Sequence, residues 1–317
     1  MELLFQWLLR YYRAVHRSIS WAYATPPDEI HGLPQFRALP DPSVAPHEVG
    51  RQGWRLTDLL PPVLTLRASA LEHNVALHAA WCRSVGVSQA PHAKTHLSPE
   101  IVRLQLAFGA WGMTAASVHQ AHFLAALGVR RIILAHEIVD PANIAALVRL
   151  TTRYPDVVVL PLVDSVAGVR LLDHNLREAG TRRRQPVLVE LGVPGGRTGA
   201  RSDDDLDAVA CAVRDAPTLT LAGVEGFEGI LPVGRDAAAL ARVDAYLERL
   251  VAAAARLDAR GLFADAEDRV GVFGPAEQIV RQRKPLRRTQ ENIRSNLLLQ
   301  IFHRARQARL RNEQLLR

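Results

Sequence analysis

Between Pro61 and about Glu228 the chain alternates short β-rich runs with helical segments, and this alternation constrains its fold more than any other feature. The strand candidates are PPVLTLRAS, SQAPHAKT, GMTAAS, RRIILAH, VVVLPLV, PVLVELG and LAGVEGF, most of them bounded by Gly, Pro or charged residues. Between them lie periodic stretches such as ALEHNVALHAAWCRSVG, SPEIVRLQLAFGA, SVHQAHFLAALG, PANIAALVRLTTRYP and SVAGVRLLDHNLREAG. Repeated strand and helix alternation calls for parallel strands joined by crossover helices, so the fold class is α/β. A closed (β/α)8 barrel and an open doubly wound sheet both satisfy the pattern. No GxGxxG follows the first strand, which weakens a dinucleotide-binding reading. Lys94, His136, Asp164, Glu190 and Glu228 all fall at the C-terminal ends of strand candidates, where a barrel performs its chemistry, and this favours a TIM-type barrel.

With 317 residues and 48% hydrophobic content, the chain can bury a sizeable core. Its net charge of +7 is not spread evenly. Arg269–Arg317 carries 12 Lys/Arg against 3 Asp/Glu, a net +9, so residues 1–268 net to −2 and a nucleic-acid role for the whole protein loses its main support. The two cysteines, Cys82 and Cys211, sit far apart and outside any CxxC or Cys/His spacing, which points to a reducing, cytoplasmic setting. The N-terminal stretch MELLFQWLLRYYRAVHRSISWAYA is apolar but broken by Arg10, Arg13, His16 and Arg17, so an amphipathic helix fits it better than a membrane span. The sequence divides into an N-terminal extension over 1–54, the alternating region over 55–265 and a basic, strand-poor tail over 266–317.

The stretch APHAKTHLSPE places Lys94 between two histidines at a strand end. A lysine facing an apolar barrel interior would have its ammonium form disfavoured, leaving the neutral amine that carbonyl chemistry requires. A surface lysine satisfies the local pattern equally well. The longer stretch PHAKTHLSPEIVRLQLAFGAWGMTAAS, followed in order by RRIILAHEIV, LVDSVAG, VLVELGVPGGRTGARS and LAGVEGFEGILP, resembles the D-serine dehydratase and D-threonine aldolase group. The first domain of that group is an alanine racemase N-terminal-type barrel, and the bacterial amino acid deaminases within it are the most similar. The resemblance covers roughly residues 55 to 265.

What the resemblance implies is a pyridoxal 5'-phosphate-dependent lyase acting on β-hydroxy D-amino acids. Lys94 matches the lysine that carries the cofactor as an imine, and Arg197, in GGRTG, matches the arginine beside the cofactor's phenolic oxygen. Phe227, in EGFEG, stands where aldolase-like members have an aromatic residue, often tyrosine, while His92 and Thr114 match segments near the ring. Deamination to a keto acid and ammonia is the leading outcome, with aldol cleavage of D-threonine or racemisation as alternatives. Family members pair as homodimers. Taken on residue type and position alone, Arg197 is also compatible with a turn, Phe227 with a core, and Asp164 and Glu190 with ordering the barrel mouth.

The resemblance stops near Glu267. Family members continue there into a Gly-Gly-Ser segment and a C-terminal β domain, which in metal-using members carries a His-x-Cys zinc pair. Here the only Gly-Gly is Gly195–Gly196 and no cysteine follows Cys211. Six strands can be counted from the Lys94 run to LAGVEGF where a full barrel has eight, so the expectation is an incomplete barrel with low stability and weak phosphate binding. A cofactor-binding protein with little turnover is the third reading.

Overall fold

The computed structural model describes residues 40–41, 44, 46–61, 66–84, 86–231 and 236–263. The N-terminal amphipathic stretch, most of the PPVLTLRAS candidate and the basic tail lie outside them. The chain divides into two compact units, Met1–His73 and Asn74–Arg317. In the first, short 3-10 turns span Pro46–Arg51 and Leu56–Asp58, and the Arg55 backbone N–H donates to the Asp58 carboxylate at 2.8 Å. Helix α1, Ala68–Ser84, takes up the end of the PPVLTLRAS candidate and continues into the second unit.

The second unit is built on five strands, β1 (Met113–Ala115), β2 (Arg131–Glu137), β3 (Val158–Val163), β4 (Gln185–Leu191) and β5 (Leu219–Gly226). They form one sheet in the order β1-β2-β3-β4-β5, every pairing parallel. The fold is therefore α/β, with the sheet of an incomplete TIM-type barrel among the described residues. Helix α2 (Pro99–Ala107) precedes β1, and α3 (Val118–Ala126), α4 (Pro141–Arg153), α5 (Val166–Glu178) and α6 (Asp203–Asp215) make the crossovers. Helix α7 (Ala237–Ala259) follows β5.

One strand candidate does not form as expected. SQAPHAKT makes only an isolated parallel bridge, His92 to Thr114, so the count from the Lys94 run to β5 is five strands and a bridge rather than six strands. The reason is local. The segment does run beside β1, with Trp111 N donating to Gln89 O, Thr114 N to Pro91 O and Ala93 N to Thr114 O at 2.8–2.9 Å. Pro91 has no N–H to give, and the chain turns at Lys94 before a longer ladder can build.

Each helix from α2 onward begins where a polar side chain satisfies the free N–H groups of its first turn. Ser98, Ser117, Asp140, Ser165, Ser202 and Asp236 each accept from the backbone N–H three residues on, and Ser202 forms a capping box with Asp205. Alternate strand residues then divide between two cores. Ile132, Leu134, Val159, Val163, Val187, Val189, Leu221 and Val224 pack outward against Leu124, Leu147, Leu172, Leu206 and Leu250 of the helices. Ile133, Leu160, Leu162, Leu188 and Ala222 pack with Ala90 on the opposite, inner face.

Buried Asp173 of α5 ties the second layer to the sheet. It accepts from Thr218 N at 3.1 Å and Thr218 Oγ1 at 2.7 Å just before β5, and pairs with Arg177 at 2.9 Å. Asp173→Ala leaves that backbone N–H buried without an acceptor, and the expected loss is about 2 kcal/mol of unfolding free energy. Denaturant midpoints of the variant, with Thr218→Val completing a double-mutant cycle, check the value.

Candidate active site

Because all the strands are parallel, the loops that follow them emerge on one edge of the barrel. Lys94 opens the turn after the His92–Thr114 bridge, and its side chain is exposed. The desolvated setting expected for it in an apolar interior is not what the structure shows; Pro91 and the early turn bring Lys94 to the rim. Its amine makes no ion pair among the described residues. Below it, His92 is half-buried, and its Nδ1 atom is buried without a hydrogen-bond partner among the described residues. Burial, reinforced by the positive charge of Lys94, lowers the His92 pKa to about 4, so this ring is neutral near pH 7.

Thr114 is fully buried and donates its hydroxyl to the Ala90 carbonyl at 2.7 Å, so its described contacts are with the backbone leading into Lys94. On the far side of the turn, His96 Nδ1 accepts from Ser98 N at 3.0 Å. Leu97 between them has φ +42°, the left-handed region that a branched side chain avoids. That strain sits three residues from Lys94 and is held by the Ser98 cap of α2.

Arg197 lies in the loop after β4, exposed, with its guanidinium carbon 5.4 Å from the centroid of the Phe227 ring. It donates no hydrogen bond to the described residues. The loop is tightly anchored: Gly192 N donates to Ala200 O at 2.9 Å, Ala200 N to Glu190 O at 2.8 Å, and Gly199 N to the Asp164 carboxylate at 3.2 Å. Arg201 donates to the carbonyls of Val193 and Thr198, and Arg249 of α7 to that of Gly192. Arg197 and Phe227 are far apart in the sequence, and the fold brings them into contact.

The inner face also carries an acidic group. Glu190 is opposite Glu225 in the β4–β5 register, and Glu137 stands at the end of β2 in line with Ile133. Glu190 and Glu225 are 4% and 5% exposed. Thr198 donates its hydroxyl to one Glu190 oxygen at 2.7 Å, while Glu137 Oε1, Glu190 Oε2 and Glu225 Oε2 are buried with no hydrogen-bond partner among the described residues. Burial, then the charges of Glu137 and Glu228, push the Glu225 carboxyl up to about 8, with Arg197 opposing. Glu190 rises in the same direction through burial, its contact with Glu137 and the charge of Glu225. Tyr246 of α7 donates its hydroxyl to the Leu191 carbonyl at 2.5 Å, and burial followed by the charges of Glu225 and Glu190 raises its pKa.

Of the strand-end residues picked out in the sequence, Lys94 and His136 are exposed, Asp164 is half-buried, and Glu190 and Glu228 are buried. Glu137 and Glu225 escaped notice. Strand parity could have found them, since each falls on the inner face of its strand, Glu137 four residues beyond Ile133 and Glu225 in register with Glu190.

A family model described as "Alanine racemase, N-terminal domain" matches residues 66–267 of this chain. The chain belongs to that family. A D-threonine aldolase of Arthrobacter sp. is 32% identical over 220 residues, covering 69% of this chain and 55% of its own length. The crystal structure of D-threonine aldolase from Filomicrobium marinum superposes with a TM-score of 0.58 at 30% identity, over 66% of this chain and 56% of that one. That of D-threo-3-hydroxyaspartate dehydratase from Delftia sp. HT23 gives 0.51 at 26% identity, over 62% and 53%. The chain spans about half the length of the curated relatives it matches. No described helix is long and apolar enough to cross a membrane.

Proposed function

We propose that this chain carries the cofactor-holding part of a pyridoxal-phosphate-dependent lyase that cleaves β-hydroxy D-amino acids. The observation that carries the reading is the shared rim: among the described residues, an amine free of ion pairs on Lys94 and a guanidinium without hydrogen bonds on Arg197, both on loops at the C-terminal edge of one parallel sheet. The relatives named as aldolases and as a dehydratase of D-configured hydroxy amino acids support the substrate class.

The residues present fit the group. Among the described residues, His92 Nδ1 is a buried acceptor without a hydrogen-bond partner, and Arg197 is a cation held on an aromatic ring with its N–H groups unspent. Lys94 would hold the cofactor through its aldehyde, and Arg197 would face its phenolic oxygen. When bound, the pyridine ring supplies an electron sink for breaking a bond at the substrate α-carbon. The chain does the remaining work. Lys94 Nζ, exposed on a short turn, carries protons to and from the reacting carbon. Neutral His92 accepts a hydrogen bond without adding a second positive charge beside Lys94. Phe227 steadies the Arg197 guanidinium through its ring face alone, because it has no hydroxyl to offer.

That missing hydroxyl supports loss of the β-hydroxyl over aldol cleavage, and the relatives include both kinds of enzyme. Product analysis decides. With D-threonine, 2-oxobutanoate and ammonia are the expected products; glycine and acetaldehyde would assign aldol cleavage instead, and no product from D-threonine, D-serine or 3-hydroxy-D-aspartate would overturn the lyase reading.

A further inference from the structure

Three carboxyl groups on the inner face of the sheet have no part in the reading above. Glu137 comes from β2, Glu190 from β4 and Glu225 from β5, and each keeps one buried oxygen without a hydrogen-bond partner among the described residues. The only hydrogen-bond donor given to them by an uncharged side chain among the described residues is Thr198 Oγ1, on Glu190. Phe227 lies two residues beyond Glu225, on the same face of the extended chain, and Arg197 rests on its ring. Three carboxylates facing one another in a buried space cannot all be ionised, and a carboxyl that keeps its proton donates the hydrogen bond that its neighbour lacks.

We propose that Glu137, Glu190 and Glu225 form a proton-sharing carboxyl cluster that governs the charge offered by Arg197. With its protons retained, the cluster leaves the guanidinium an open cation able to hold an anionic oxygen. With them lost, Glu225 becomes the counter-ion of Arg197 and that capacity falls. The inference rests on the proposed function only for the identity of the anion.

The other groups around the cluster are accounted for. Asp164, after β3, is engaged with Gly199 N; Glu228, after β5, adds negative charge; Tyr246, from α7, is neutral and donates to Leu191 O; Arg197 is the one cation among the described residues that acts on Glu225. The folded chain holds protons that the unfolded chain releases, so the stabilisation is complete below the ordinary glutamate pKa of 4.5 and is lost as pH rises through the folded value of about 8 for Glu225. Wild-type melting temperature should therefore fall with rising pH across that window relative to Glu225→Gln and Glu190→Gln.

The deciding experiment is a carbon-13 NMR titration of the cofactor-free chain labelled at the glutamate carboxyl carbons. At least one resonance should titrate above pH 7, be lost in Glu225→Gln or Glu190→Gln, and move to still higher pH in Arg197→Met, which removes the opposing cation. If every glutamate titrates in the ordinary range, about 3.3 to 5.1, the cluster is overturned, and the wild-type titration alone is enough to overturn it should a variant fail to fold. A high-titrating resonance that Arg197→Met leaves unmoved overturns the link to Arg197. None of these signals depends on cofactor or substrate, so the cluster and the lyase reading fail independently.

Discussion

Lys94→Ala is expected to abolish turnover of any hydroxy D-amino acid substrate, with a loss of at least about 1000-fold, because under the proposed function one substitution removes both the covalent anchor and the proton carrier. The fold should not suffer. Lys94 is exposed and ends no ion pair among the described residues, and the backbone bonds that hold its turn run from Ala93 and its neighbours to β1 and do not involve its side chain. The variant should therefore melt with the wild type while losing the visible absorbance that added pyridoxal phosphate gives a lysine-bearing site, and borohydride should fix the cofactor's mass to the wild-type chain only. Equal absorbance and equal labelling in both proteins would remove Lys94 from the chemistry.

The second large effect falls on stability. Gly192→Ala should cost about 3 kcal/mol, at the upper end for forcing a methyl group into a packed region. A Cβ at this position would collide with the Thr198 carbonyl oxygen and come within 2.9 Å of the Gly199 oxygen, and both are backbone atoms with nowhere to go. The same loop is closed by backbone bonds beside these atoms, where Gly192 N meets Ala200 O and Ala200 N meets Glu190 O. Opening that loop moves Arg197 off Phe227 and takes Thr198 away from Glu190. A lowered denaturant midpoint together with weaker cofactor binding is the expected pair of results, whereas an unchanged midpoint would show that the loop yields without cost.

How legible the site was depends on the residue. Lys94, Arg197 and Phe227 sit in short stretches whose order along the chain carries a resemblance, so they could be named before any contact was known. The setting of Lys94 could not. Its expected burial assumed a strand running into the barrel, but Pro91 cuts the ladder to a single bridge and the lysine emerges at the rim. Glu137 and Glu225 were hidden for a different reason. In LAHE and GVEG they look like the polar ends of strands, and only pairing, with Glu225 set opposite Glu190, turns them into neighbours.

Local chemistry was enough for the α/β class, the helix starts and the order of the segments, because period-2 and period-3.6 patterning and N-capping side chains act over a few residues. The contact of Arg197 with Phe227, the bond from Asp173 to Thr218 and the buried carboxyl cluster span 30 to 88 residues of chain. No local rule reaches that far. The first two exist because the fold sets the loop after β4 beside the end of β5 and helix α5 beside its start, and the third because parallel strands stack in register, so that the inner face of the sheet gathers the side chains brought to the same depth.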